Sequence, residues 1–186
     1  MIAKDSQVVG YVSLREQVDA DFSRARRRAF FRRVRALLRS DPPSDCLLCF
    51  EEVRKKFGAL DRVRLGRKVV PAQRIAGSVG RCADFDGAFL PAKASVEARW
   101  KRIDWAFFRD EELPPVSLYK IGGSYFVVDG NHRVSVARYH GIEWIHAQVT
   151  EFRVPSPVQP TGVADPSRSR RDIRGPTNHA REETRR

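Results

Sequence analysis

Between Val116 and Val149 the sequence changes character every few residues, and glycine marks most of the changes. VSLYKI (116–121) and YFVVD (125–129) are rich in β-formers, and Gly122-Gly123-Ser124 between them has the composition of a tight hairpin turn. Gly130-Asn131-His132-Arg133 follows as a loop. Val134–His140 then has helical spacing and stops at Gly141, and WIHAQV (144–149) returns to strand. Strand, turn, strand, loop, helix and strand within 34 residues make an α+β domain with a small mixed sheet.

This order sets Asp129-Gly130-Asn131-His132-Arg133 at the junction of a strand and a helix N-terminus. Free backbone N–H groups and the helix dipole favour an anion there. Gly130 lets the backbone approach a phosphate closely, and His132 and Arg133 offer charge-assisted donors. Asp129 is placed to hold the loop or a metal, and Asp129 with His132 are the candidate catalytic pair. The competing reading is a structural turn, since Asp-Gly-Asn is strong turn chemistry and a lone loop histidine usually catalyses nothing. A second small loop, Ser78-Val79-Gly80-Arg81, supplies Ser78, Gly80 and Arg81 as further candidate ligand contacts. Taken alone it reads as a surface loop.

The charge is distributed unevenly. The 186 residues carry a net charge of +12, yet residues 71–154 hold eleven basic and ten acidic residues, while residues 1–40 hold ten basic and four acidic. A basic arm therefore precedes a nearly neutral body. From Ser13 to Arg39 no Gly or Pro interrupts a helix, and Asp41-Pro42-Pro43 stops it. Val18, Phe22, Ala25 and Ala29 form an apolar stripe, which Phe30, Val34, Leu37 and Leu38 continue with a small offset. Arg24, Arg28, Arg32, Arg35 and Arg39 stack along one side, and Arg26, Arg27 and Arg33 widen the positive surface. Eight arginines in 16 residues suit phosphate contacts with a nucleic acid, and the alternative is a solvated face on a packed helix.

A second helix is expected over Ser44–Phe57, with Leu47, Phe50, Val53 and Phe57 on one face and Gly58 as its stop. Cys46 and Cys49 then fall in that helix as CLLC and read as buried structural thiols. Cys82 stands apart, so neither a zinc site nor a disulfide framework is expected. Near a helix over Val96–Arg109, Trp100, Trp105, Phe107 and Phe108 are expected in the core. The tail from Pro155 is rich in Pro, Ser and Arg and should be disordered. Three regions result: a helical arm at 1–60, a folded domain at 69–152, and a tail at 153–186. Hydrophobic residues make up 41% of the chain, enough for a core. No apolar run approaches a membrane span and the first residues lack a secretory core, so a cytoplasmic protein is expected, with the nucleoid as one place for it.

Residues 116–149, VSLYKIGGSYFVVDGNHRVSVARYHGIEWIHAQV, resemble the ParB/sulfiredoxin superfamily, in which a strand runs into a G-x-[HR]-R loop and then a helix. Upstream, Val70–Phe89 is similar to that family's opening strand and loop, with Ile75 ending the strand and Arg81 as a loop arginine. The resemblance covers about residues 69–152. It implies a nucleoside triphosphate, CTP or ATP with Mg2+, at Gly130, Asn131, His132, Arg133, Ser78, Gly80 and Arg81. Asn131 stands where the sulfiredoxin pattern has its reactive cysteine, so sulfinate reduction is not expected. The later E-N-x-Q-R-like segment of the partition proteins is absent, and 34 residues follow Phe152, which argues against clamp-type CTPase action. DGNHR fits the DGxHR loop of kinase-like members.

Three functional readings follow from these features. The first is a ParB-like, nucleotide-binding regulator whose Arg24, Arg28, Arg32, Arg35 and Arg39 contact nucleic acid, DNA in preference to RNA. The second is a small nucleotide-dependent enzyme, a phosphotransferase or nuclease. The third is a ligand-free module that binds a protein or ribosomal partner.

Overall fold

The computed structural model describes residues 5–38, 46–59 and 61–155, with side chains from residue 13 onward. The expected disorder of the tail, the Pro42-Pro43 stop and the position of Arg39 lie outside the described residues. The elements are α1 (Asp5–Leu38), β1 (Leu48–Cys49), α2 (Phe50–Phe57), β2 (Arg62–Pro71), β3 (Ile75–Ser78), α3 (Glu97–Phe108), β4 (Val116–Ile121), β5 (Ser124–Asp129), α4 (Asn131–Tyr139) and β6 (Trp144–Phe152). Six strands form one mixed sheet in the order β1-β3-β5-β4-β6-β2. Together with the four helices this is an α+β fold, as expected.

The hairpin-loop-helix-strand segment forms as its sequence dictates. β4 and β5 pair antiparallel through the Gly122 turn, where φ is +56°, and β6 lies parallel to β4. Alternation along the strands splits the buried residues between two faces. Val116, Leu118, Val127, Ile145, Ala147 and Val149 join Phe22, Ala25, Ala29, Trp100, Val134 and Val136 from α1, α3 and α4. On the other face Ile121, Phe126 and Phe152 enclose Phe50 of α2.

Several expectations are corrected. The helix expected over Ser44–Phe57 begins only at Phe50, because Leu48–Cys49 pairs parallel with Gly77–Ser78 of β3. Cys46 and Cys49 therefore do not share a helix face. Cys46 is exposed, while Cys49 is disulfide-bonded to Cys82, their Cα atoms 5.6 Å apart. Ile75 starts a strand instead of ending one, since a short 3-10 turn over Ala72–Arg74 separates β2 from β3. In α1 the stripe Val18, Phe22, Ala25 and Ala29 is buried, but Phe30, Leu37 and Leu38, which lie off that stripe, are exposed. Trp100 is in the core, whereas Phe107 and Phe108 are each 38% exposed and pack against His140.

Candidate functional site

β3 and β5 are adjacent and parallel, so the loops leaving their C-terminal ends lie side by side. Ser78-Val79-Gly80-Arg81 and Gly130-Asn131-His132-Arg133, 50 residues apart in sequence, are thereby brought together. Ser78 fixes the first loop: its hydroxyl donates to the Val127 carbonyl (3.3 Å) and accepts from the Arg81 N–H (3.2 Å), and Val79 N–H donates to the same carbonyl (2.9 Å). Buried and doubly bonded, the Ser78 hydroxyl shapes the loop. Gly80 and Arg81 are exposed, and Arg81 Nη1 pairs with Asp84 at 3.0 Å.

The second loop is shorter than expected. Gly130 is the N-cap of α4 at φ +99°, and Asn131-His132-Arg133 form the first helical turn. No side chain caps this end, so the amides of the first turn, which have no acceptor within the helix, face the junction without a side-chain partner. Gly130 is required there. A Cβ would sit 2.7 Å from Val116 Cγ1 and 3.0 Å from both Cζ and Nε of Arg133.

Asn131 and His132 are buried, and Asn131 Oδ1 and His132 Nδ1 have no hydrogen-bond partner. The His132 ring meets Phe85 edge-on at 5.5 Å. Burial, then the positive charges of Arg81, Arg99 and Arg102, depress its pKa to about 4 against the partial opposition of Asp84. His132 is thus a neutral imidazole at neutral pH, which corrects its expected role as a charged donor. Burial would raise the Asp84 carboxyl, but hydrogen bonds from Lys93 and Arg81 outweigh this and hold it below the ordinary range.

Arg133 turns back from the junction. Its Nη2 pairs with Asp129 Oδ2 at 2.5 Å, and its Nη1 donates to the carbonyls of Pro114 and, at 3.1 Å, Pro115. Asp129 keeps 76% of its side chain exposed, so the candidate catalytic carboxylate lies at the open rim while the histidine lies inside.

The described arginines of α1 from Arg24 to Arg35 are all exposed, yet three of them also have partners. Arg24 pairs with Asp21 (3.2 Å), Arg28 lies 5.2 Å over the Tyr139 ring, and Arg32 pairs with Asp86 (3.1 Å). Arg28, Arg32 and Arg138 line a cavity of about 690 Å³ between α1, Gln73–Ala76, Gly87–Leu90 and α4. Arg26, Arg27, Arg33 and Arg35 are exposed.

Sequence reasoning missed Asp86. Its Oδ1 accepts the N–H groups of Ala88 (3.0 Å) and Leu90 (2.7 Å), its Oδ2 meets Arg32, and the turn it closes holds Phe89 at φ +62°. The Phe89 carbonyl accepts from the buried Ser135 hydroxyl, which accepts from Trp100 Nε1 at 2.9 Å. The Asp-Phe-Asp-Gly run around it is a turn signal, but nothing local marks Asp86 as the organising residue.

Comparison with known proteins adds little. No protein-family description matches the chain, and no curated protein matches it. Among solved structures, sulfiredoxin from Arabidopsis thaliana superposes over 50% of this chain and 89% of that one, at 15% identity and a TM-score of 0.34. At that level the likeness carries no argument. Among the described residues no helix is long and apolar enough to cross a membrane.

Proposed function

We propose that the chain is a ParB/sulfiredoxin-like nucleotide-binding protein associated with nucleic acid. The observation that supports this most directly is the convergence of the two loops. They set the uncapped α4 N-terminus beside Asn131 Oδ1 and His132 Nδ1, two buried polar atoms without partners, with the charges of Arg81, Arg99 and Arg102 acting on the same point. Buried polar atoms without partners are uncommon and often mark functional positions. A triphosphate accepts hydrogen bonds from helix-terminal amides and from Arg81 once that side chain leaves Asp84. Neutral His132 and Asn131 offer uncharged hydrogen bonds. Asp129, at the exposed rim, is the carboxylate that would hold Mg2+, which supplies charge neutralisation of the phosphates.

The test is thermal unfolding with CTP, ATP or GTP, with and without Mg2+. A nucleotide at about 100 times its Kd stabilises by about 2.7 kcal/mol. Absence of a shift with all three at millimolar concentration rejects nucleotide binding and favours the protein- or ribosome-binding module. Nucleic-acid contact through α1 is tested separately by duplex-DNA anisotropy against salt. Replacing Arg26, Arg27 and Arg33 with Gln should flatten the salt slope by about 0.9 for each phosphate that is no longer neutralised. Replacing Arg24, Arg28 and Arg32, whose guanidiniums already have partners, should flatten it less. Equal binding by parent and both variants makes the arm purely structural.

A phosphotransferase or nuclease is the second reading. It rests on Asp129 at the exposed rim as the candidate base and on the unpartnered ring nitrogen of neutral His132 as a hydrogen-bonding group beside it. Full turnover in Asp129→Asn would remove Asp129 from that role.

A further inference from the structure

We propose that Asp21 of α1, Asp104 of α3 and His140 at the end of α4 form a divalent transition-metal site, separate from the nucleotide loops. Three helices bring these residues together at their mutual junction. Asp104 is completely buried and Asp21 is 3% exposed. One ligand atom from each residue lies within 4.8 Å of the other two, so small side-chain rotations would bring them to the roughly 3.3 Å separation of ligands around an ion with bonds near 2 Å.

Each carboxylate is held by one oxygen and leaves the other without a partner. Asp21 Oδ1 accepts from the Tyr139 hydroxyl (2.7 Å) and from Arg24 Nη1 (3.2 Å), while Asp21 Oδ2 is buried with nothing bonded to it. Asp104 Oδ1 meets His140 Nε2 at 2.6 Å, and Asp104 Oδ2 is likewise buried and without a partner. Tyr139 and Arg24 thus act on Asp21 as outer partners act on metal ligands, fixing one oxygen and presenting the other.

The imidazole is held as firmly. Phe107 stacks on it at 4.2 Å with an interplanar angle of 13°, and Phe108 and Tyr139 meet it edge-on at 5.4 and 5.0 Å. A divalent cation answers both buried, unpartnered oxygens at once. The donor set of two carboxylates and one imidazole suits a borderline ion such as Mn2+, Fe2+ or Zn2+ better than Ca2+. The partly exposed His140 side chain marks the way in.

Mn2+ is the probe to use, because the exposed Cys46 thiol would compete for softer ions. The nucleotide-free full chain is stripped with EDTA and titrated with MnCl2, followed by EPR and by thermal unfolding. The expected result is one Mn2+ per chain, a raised Tm, and a pulsed-EPR coupling to one imidazole nitrogen. His140→Gln should lose that coupling and at least tenfold in affinity. Asp104→Asn should lose most of the rise in Tm that Mn2+ gives the parent. Equal Tm of the parent in EDTA and in millimolar Mn2+ overturns the proposal, as does nitrogen coupling that survives His140→Gln. If Asp104→Asn shifts stability by the same amount with and without Mn2+, Asp104 is not a ligand and the proposal fails.

Discussion

Replacing Gly130 with alanine tests whether the strand-to-helix junction is as tightly specified as its geometry indicates. The residue sits at φ +99°, where an L side chain costs about 1–2 kcal/mol. The new methyl would lie 2.7 Å from Val116 Cγ1 and 3.0 Å from Arg133 Cζ and Nε. Neither neighbour yields easily. Val116 is a buried β-branched residue at the start of β4, and the guanidinium of Arg133 is pinned by Asp129 and two prolyl carbonyls. Overpacking of this kind costs about 1–3 kcal/mol, so with the backbone cost the variant should lose roughly 2–5 kcal/mol. For a body of this size that is a fall in Tm of about 6–15 °C. Urea unfolding of the parent, Gly130→Ala and Gly123→Ala measures it. Gly123 has open space around its Cβ position and should change by less than about 0.5 kcal/mol. A Gly130→Ala variant as stable as Gly123→Ala would refute the junction geometry, and with it the placement of Asn131 and His132 on the first turn of α4.

Asp86→Ala removes two backbone hydrogen bonds to a charged acceptor and the pair with Arg32, so a loss of about 3–5 kcal/mol is expected in urea unfolding. A loss under about 1 kcal/mol would remove Asp86 from its organising role. His132 has a folded pKa depressed to about 4 from 6.5, so its unfolded form binds more protons between those values. Its contribution is complete above pH 6.5 and is lost as pH falls towards 4, by up to about 3 kcal/mol. Subtracting the stability curve of His132→Gln from that of the parent should isolate this slope, and superimposable curves would contradict the burial of a neutral imidazole.

The segment from Val116 to Phe152 was legible because each of its elements is punctuated: Gly122 at the hairpin, Gly130 before α4, Gly141 after it. Even there α4 begins three residues earlier than periodicity suggests. Asn131-His132-Arg133 look like loop residues by type and join the helix only because left-handed Gly130 turns the chain into it. β2 was not legible, since RVRLGRKVV carries basic residues on both faces of a strand whose ladder with β6 shifts near Gly66. CLLC followed by Phe50 has apolar spacing that serves a helix or a short strand equally well, and pairing with Gly77 and Ser78 decides for the strand. In the candidate site, Arg81 and His132 were visible as separate loops. Asp86 with Arg32, Asp21 with Tyr139, and Cys49 with Cys82 are pairs made by tertiary packing across 54, 118 and 33 residues, and no local pattern announces them.

The two outer strands carry a consequence for self-association. An open six-stranded sheet ends in unpaired N–H and C=O groups that invite another chain to add a strand. β1 is two residues long, too short to nucleate such pairing. β2 is ten residues long, but Gly66 breaks its regularity at φ +74°, four basic side chains lie along it, and Pro71 closes it. A second copy approaching that edge would bring like charges together along a kinked ladder. The sequence that made β2 hard to recognise as a strand is therefore the same sequence that keeps the sheet from growing.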